Sequence, residues 1–368
     1  MRILFIAPLP PPITGHSLAA QVLLDSLRAD HDVEVVNLSV GSSNDGSVSI
    51  RRIVEVAKVL SAVARKRRDI DVIYLTIAES FAGNIKDLLI YLVCYRDLPN
   101  LYIHLHGGSI KRLLFDRHSL VRRINARAVK RMAGVIICGA SHAAIFRGMI
   151  AAERIHIVPN FAEDDLFVSD ATIAQKFANL DQLRILYLSG MSEGKGYLDL
   201  LAAYLLLDDR AKQQVRVDFA GSFDTYAEEE QFRERIRGIA GIRYHGLVRG
   251  PEKRTLFASA HGFCLPTTLF EGQPISILEA YAGGCVVITT GQAGILDIFS
   301  DGINGFRIDA GSPTSIAACL NGMLVARPSL ETIAAANRDI AGKQYRVDRF
   351  RTAMTGILSG DPGEGELK

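Results

Sequence analysis

Glu271 and Glu279 stand eight positions apart in residues 270–290, FEGQPISILEAYAGGCVVITT, astride a loop-to-helix junction. Glu271, Gly272 and Gln273 read as a loop, Pro274 as the first helical residue, and 275–281 as a helix that Gly283 and Gly284 stop. A short apolar strand, 285–288, follows. The first turn of a helix carries amides without intrahelical partners and the positive end of the dipole, so Gly272, Gln273, Ile275 and Ser276 could donate to a diphosphate. Pro274 has no N–H to offer. On this spacing Glu271 lies beside the anion and Glu279 about two turns into the helix, each suited to accept hydrogen bonds from sugar hydroxyls. A solvated helix with an acidic start satisfies the same pattern through the macrodipole alone, so the junction by itself leaves both readings open.

The elements that must position these residues alternate. Strand patterns at 3–7, 33–38, 72–76, 101–106 and 134–138 are separated by helical spacing at 17–28, 50–68, 84–94 and 111–131. Residues 165–180 lose apolar periodicity, and strands resume at 183–189, 215–220, 242–245, 262–265, 285–289 and 305–308. Such alternation specifies parallel sheets covered by helices, and 368 residues suit two of them. The expected layout is a first domain over 1–168, a linker over 169–182 and a second domain over 183–344. A further apolar-periodic stretch at 345–360 comes after the second unit is complete, and 361–368 read as a disordered tail.

In an open parallel sheet, ligands bind beyond the carboxyl ends of the strands, which selects the polar residues worth attention. In the first unit these are the 8–16 loop with Gly15 and His16, and the strand end His104, His106, Gly107, Gly108. In the second they are the 190–196 loop GMSEGKG with Lys195, the pair Gly221–Ser222, and the 267–274 loop. Gly15 lets a ligand approach the backbone but is no G-x-G-x-x-G, so the dinucleotide fingerprint is absent. Lys195 at a helix start could neutralise a leaving diphosphate, although single lysines there are commonly surface residues. His104 and His106 share a strand face at i and i+2, an arrangement that alone gives metal binding little support. Asp69 and Asp71 spell D-x-D, but at the entry of a strand, the wrong end for a ligand; they read as a turn.

Composition narrows the classes. With 48% hydrophobic and 22% charged residues the chain is an ordinary globular one, and its longest apolar runs fall far short of the ~20 residues of a membrane span. The apolar start is broken by Pro10 to Pro12 and reads as a strand, not a signal peptide. Five cysteines, scattered and without C-x-x-C, point to thiols in a reducing cytoplasm. Residues 1–168 carry 21 basic against 16 acidic side chains, eight of the basic ones within 111–131 and seven within 51–68. Both segments have helical apolar spacing, which suits contact with anionic lipid, although solvated helix faces fit as well. Nucleic acid ranks lower, since Trp is absent and no aromatic-basic interleaving occurs.

Taken together, the chain resembles the GT-B glycosyltransferases, most closely family four, the retaining nucleotide-sugar-dependent enzymes. TGHSLAAQVLLDSL resembles that family's donor-facing loop, HGG at His106 its strand-end histidine, and VPNF its PN segment. SGMSEGKG resembles the loop with the lysine, the stretch from Tyr244 to Ala280 the one that ends in E-x7-E, and DIFSDGINGFRI the element after it. The resemblance implies two Rossmann-like domains with a cleft between them and a C-terminal helix crossing back. It implies that Lys195 binds the donor diphosphate and that Glu271 with the amides after it holds the transferred sugar. Glu279 would hold the ribose, the base would lie near Leu247 and Val248, Gly15 and His16 would pass close to the diphosphate, and His106 would face the sugar.

On this resemblance His106, Lys195 and Glu271 act in catalysis, with no metal and no cofactor beyond a nucleoside-diphosphate sugar, uridine- or guanosine-linked. The implied activity is retaining transfer of a hexose to an acceptor hydroxyl in cell-envelope polysaccharide or lipid-linked glycan assembly. A cytoplasmic site, peripheral on the inner face of the plasma membrane, would follow. A GT-B nucleotide-sugar epimerase and a nucleotide-binding scaffold without catalysis are the rival readings. Met191 stands where the family has an arginine paired with the lysine, which puts the phosphate clamp in question.

Overall fold

A computed structural model describes residues 1–39, 50–178 and 180–360, leaving aside the side chains of Arg51 and Pro328. The chain divides into two compact units. The first comprises residues 1–160, the four residues 270–273, and the chain from Asp348 onward. It runs β1 (Arg2–Ala7), α1 (Gly15–Asp30), β2 (Asp32–Asn37), α2 (Ile50–Lys66), β3 (Val72–Thr76), α3 (Phe81–Val93), β4 (Leu101–Leu105), α4 (Ser119–Val129), β5 (Gly134–Ile137), α5 (Ala143–Phe146) and β6 (Ile155–Ile157). The strands form one parallel sheet in the order β2-β1-β3-β4-β5-β6.

Parallel strands joined through helices are covered on both faces, so their sequences lack polar alternation; β1 and β5 are almost wholly buried. The strand order reverses between β1 and β3. Crevices open at the carboxyl ends beside such a reversal, and here that is where the α1 start and the chain after β4 lie in the connectivity. Thr14 caps α1 reciprocally with Ser17, which fixes the position of Gly15 and His16 in the first turn. The D-x-D segment is a turn: Asp69 has φ +57° and the Asp71 carboxylate accepts from the Arg2 amide at 2.8 Å, directly before β3.

The second unit comprises residues 161–269 and 274–347. It contains α6 (Asp170–Ala178), β7 (Leu183–Leu188), α7 (Tyr197–Leu206), α8 (Asp209–Gln214), β8 (Val215–Ala220), α9 (Tyr226–Ile236), β9 (Ile242–Tyr244), α10 (Gly250–Ser259), β10 (Gly262–Leu265), α11 (Ile275–Ala282), β11 (Val286–Thr289), β12 (Gly305–Arg307), α12 (Pro313–Val325) and α13 (Arg327–Gln344). Its parallel sheet has the order β12-β11-β10-β7-β8-β9, with the reversal between β7 and β10. The loops that follow those two strands are the ones that carry Lys195 and the Glu271 segment. Helix α14 (Val347–Ser359) groups with the first unit from Asp348.

Three expectations change. The 169–182 stretch is not an irregular linker: it contains α6, whose Ile173 and Phe177 are buried in the second core. A helix of only nine residues makes about two and a half turns, too few for its apolar spacing to stand out. The division between units falls after Asn160 rather than after residue 168, and Phe270–Gln273 belongs with the first unit although its flanks belong to the second. Pro274 is the cap of α11, not its first helical residue, with ψ 116°. Glu279 is therefore little more than one turn into α11 rather than two. The 361–368 tail lies outside the described residues.

Candidate active site

In the first unit, strand β4 delivers His104 within the sheet and His106 just beyond it. Both are buried, His104 completely and His106 with 4% of its surface exposed. The ring centroids of His104 and His106 are 3.8 Å apart, and the His16 ring stacks on His106 at 5.1 Å. The Tyr74 hydroxyl lies 2.7 Å from His104 Nδ1. Burial holds the His106 imidazole well below its ordinary value, with His104 and His16 adding to the effect. It pushes His104 down to about 3, with His16 contributing. Both imidazoles are neutral at physiological pH and serve as hydrogen-bond or ligand groups rather than as cations.

Glu271, Gly272 and Gln273 pack against this strand end. A methyl group on Gly272 would fall 1.7 Å from the His106 carbonyl oxygen, so only glycine admits this approach of backbone to backbone. Gln273 is tied down: its side-chain oxygen accepts from the Asn160 amide at 2.5 Å, its backbone oxygen from Asn160 Nδ2 at 2.8 Å, and its Nε2 donates to the Cys138 carbonyl at 3.2 Å. Glu271 is buried beside Glu79. The Glu79 carboxylate accepts from the amides of Ser109 and Ile110 at 2.5 and 2.9 Å. Burial raises the Glu79 carboxyl above its ordinary value, those two amides oppose the rise, and Glu271 adds to it. Gly15, His16, His106, Glu271, Gly272 and Gln273 thus all belong to one unit, with His16, Gly272 and Gln273 in direct contact with the β4–β5 ends.

The second unit holds Lys195, Val248, Ile275, Ser276 and Glu279. Lys195 closes a short helical turn, Glu193–Lys195, before Gly196, whose φ of +79° makes it the left-handed cap ahead of α7. That turn is anchored to the chain after β10: the Gly194 carbonyl accepts from the Thr268 amide at 2.9 Å and from the Thr267 hydroxyl at 3.2 Å. Met191, at the family's arginine position, is buried in the core with its backbone N–H on the Ser222 carbonyl. Val248 is buried and Leu247 exposed just before α10. Ile275 and Ser276 form the first turn of α11.

Glu279 is 2% exposed, and its Oε1 accepts from Lys253 Nζ at 2.6 Å. The same ammonium donates to Glu163 Oε2 at 2.6 Å. Burial raises the Glu279 carboxyl above its ordinary value and Lys253 pulls it back without cancelling the rise. For Lys253 burial works downward, and the two carboxylates outweigh it and hold the ammonium above its ordinary value. Sequence reasoning missed Lys253, Glu163, Glu79 and Cys138. Lys253 offered a signal: it sits in the first turn of α10, where the dipole disfavours a cation, so an acidic partner was implied. Glu79 and Cys138 offered none, since their partners lie 30 or more residues away.

Residues 182–325 match the family model described as glycosyl transferases group 1. A sucrose synthase of Melioribacter roseus is 32% identical over 96 residues, covering 23% of this chain and 12% of that protein. The chain spans between 12% and 34% of the length of the first curated relatives it matches. Among solved structures, HepE of Anabaena in complex with UDP and glucose aligns with TM-score 0.73 at 19% identity, over 98% of this chain and 100% of that one. WaaG, a glycosyltransferase involved in lipopolysaccharide biosynthesis, aligns with TM-score 0.69 at 17% identity, over 97% and 100%. The structural likenesses show the fold, two Rossmann-like parallel-sheet domains of the GT-B class, and the family-model match over residues 182–325 bears out the resemblance to group 1 glycosyl transferases there.

Proposed function

We propose that this chain is a retaining glycosyltransferase that moves a hexose from a nucleoside-diphosphate sugar to an acceptor hydroxyl. The observation that carries the reading is the buried Glu279, clasped by Lys253 in the segment that matches the group 1 family model and one turn into the helix after β10. In this reading Glu279 accepts from the ribose hydroxyls while Lys253 keeps its other oxygen occupied and its charge in place. Lys195 and the amides of Gly272, Gln273, Ile275 and Ser276 stabilise the diphosphate, with Gly15 and His16 passing near it. The base lies against Val248.

The bond from the anomeric carbon to the phosphate oxygen breaks as the bond to the acceptor oxygen forms, on the same face. The acceptor proton goes to the leaving phosphate. Negative charge grows on that phosphate in the transition state, where Lys195 and fixed amides are most effective. Glu271 and the neutral His106 orient the sugar, and no metal takes part in the transfer. The complex of HepE with UDP and glucose supports a uridine-linked donor, with a guanosine-linked one as the next choice. The lipopolysaccharide role of WaaG supports an acceptor in cell-envelope glycan assembly.

A thermal-shift screen against UDP, GDP, dTDP and ADP names the nucleotide, since a ligand at one hundred times its Kd adds about 2.7 kcal/mol of stability. Glu279→Ala should weaken that nucleotide by tenfold or more; unchanged affinity sinks the assignment. Donor incubated alone should give neither epimer nor rapid hydrolysis, whereas an epimer would identify the rival chemistry.

We also place the chain on the inner face of the plasma membrane. Among the described residues no helix is long and apolar enough to cross a membrane. On α4 and the turn before it, however, Leu113, Leu120 and Ile124 are exposed amid exposed Lys111, Arg112, Arg117, Arg123 and Arg127. Such a face suits anionic headgroups. The double variant Leu120→Gln, Ile124→Gln should cut co-sedimentation with phosphatidylglycerol vesicles at least tenfold, each buried apolar side chain contributing ~1.5 kcal/mol. Equal sedimentation of the variant overturns this placement.

A further inference from the structure

We propose that His104, His106 and Cys138 of the first unit form a binding site for one divalent transition-metal ion, with Zn2+ as the best match. The three come together through sheet register. His104 pairs with Ile136 and Leu105 with Ile137, which brings Cys138, one residue past β5, opposite His106, one residue past β4. Side chains alternate along a strand, so His104, His106 and Cys138 point to one face. One potential ligand atom from each residue lies within 4.8 Å of the other two, and all three residues are buried. Tetrahedral Zn–N and Zn–S bonds of ~2.0–2.3 Å require ligand atoms ~3.3–3.8 Å apart, so closure needs side-chain movements of about 1 Å.

A second observation points to a ligand. Nε2 of His104 and both ring nitrogens of His106 are buried with no hydrogen-bond partner among the described residues. Each buried polar group left unsatisfied costs roughly 1–3 kcal/mol, and three within one cluster is a large sum unless something binds them. The Tyr74 hydroxyl, 2.7 Å from His104 Nδ1, holds the ring in place, and in the tautomer with Nδ1–H donating to it the lone pair lies on Nε2, the atom without a partner among the described residues. Metal-bound histidines are held in this way by a partner on the second ring nitrogen. Cys138 Sγ, 3.7 Å from the Leu105 carbonyl, would give its proton to solvent as the ion binds, leaving a thiolate–metal bond.

Two imidazoles and a thiolate select zinc, cobalt or copper and discriminate against Mg2+ and Ca2+, which take oxygen ligands. His16, exposed and stacked on His106, marks the side from which an ion enters. The ion would take one ring nitrogen of His106 and leave the other for the sugar, so the inference stands whether or not the chain transfers sugar.

The full chain, stripped with chelator, is titrated with Co2+ as a spectroscopic probe and then with Zn2+. One ion per chain is expected, with tetrahedral d–d absorption and a thiolate-to-cobalt charge-transfer band, both abolished by one equivalent of Zn2+. Cys138→Ser should lose the charge-transfer band and bind at least tenfold more weakly; His104→Gln should weaken binding similarly. Binding without a thiolate band, or equal binding by Cys138→Ser, would assign the ion to surface groups and overturn the proposal, as would no saturable binding. X-ray absorption on the wild-type zinc form reads one sulfur and two nitrogen neighbours directly, so the outcome does not depend on the variants folding.

Discussion

Lys253→Met removes the cation paired with the buried carboxylate of Glu279, and the consequence should depend on pH in a stated way. In the native protein the ammonium lies 2.6 Å from Glu279 and 2.6 Å from Glu163, with only 13% of its side chain exposed. Breaking a buried pair by deleting one partner costs about 3–5 kcal/mol when the other charge stays behind. Glu279 can avoid part of that cost by taking up a proton. Its carboxyl already lies above the ordinary range because burial holds it there. The folded chain therefore binds this proton more readily than the unfolded one, and stability falls as pH rises from the ordinary carboxylate range to the raised value. Lys253 limits that rise; without it the carboxyl climbs further and the loss continues to higher pH, at up to ~1.4 kcal/mol per pH unit. The gap between wild type and variant should therefore widen by about 2 kcal/mol between pH 6.5 and 8.5. Urea unfolding of both proteins at these values, followed by circular dichroism, measures it. A gap that is independent of pH, or below about 1 kcal/mol throughout, would refute a charged Lys253–Glu279 pair. The double variant Lys253→Met, Glu279→Gln should recover part of the loss, because it leaves no buried charge uncompensated.

His261 is buried, its Nδ1 accepting from the Arg184 amide and its Nε2 bonded to the Lys176 carbonyl, and burial above all pushes it down to about 4. The unfolded chain then binds this proton first on acidification, so stability is lost as pH falls from 6.5 toward 4; His261→Gln should remove about 3 kcal/mol of that acid dependence in urea unfolding at pH 4 and 6.5. Gly272→Ala would drive a methyl group into the His106 carbonyl and to 3.1 Å from Gly107 Cα, backbone atoms that cannot swing aside. It should cost about 1–3 kcal/mol in thermal unfolding and lower turnover more than the other glycine changes at open positions such as Gly190.

Much of the architecture could be read from hydrophobic pattern because covered parallel strands are short and predominantly apolar. β1, β3, β5, β7, β10 and β11 are all of this kind, and each lies within two residues of its expected limits. β6, three partly exposed residues with a histidine at the centre, has no such pattern and went unseen. The candidate site was legible where the chemistry is local: Lys195 beside a left-handed glycine, the glycines after His106, and a helix start that falls at Ile275, one residue after the expected Pro274. It was illegible where it depends on register between distant strands. Nothing near Cys138 in sequence says that it stands opposite His106, and nothing near Lys253 except a misplaced charge says that it clasps Glu279.

The Glu271–Glu279 spacing therefore has a different physical basis from the one its sequence suggests. Glu279 stands eight positions after Glu271, yet the first belongs to one compact unit and the second to the other. The segment between them is not merely a helix entrance. Asn160 grips Gln273 through both its backbone and side-chain amides, Gln273 reaches on to the Cys138 carbonyl, and Gly272 rests on the His106 carbonyl. The asparagine of the VPNF segment is thus a latch for the Glu271 loop. Asn160→Ala would leave the Gln273 carbonyl without this donor, at about 1–3 kcal/mol for a buried acceptor. Because the backbone amide of residue 160 remains, the loop should loosen rather than detach: turnover and the diphosphate contacts of Gly272 and Gln273 should weaken, while affinity for the free nucleoside, which Glu279 holds without those amides, stays the same, so turnover falls and nucleoside affinity does not. A fall in both would mean that the two glutamates are coupled more tightly than their separate anchoring implies.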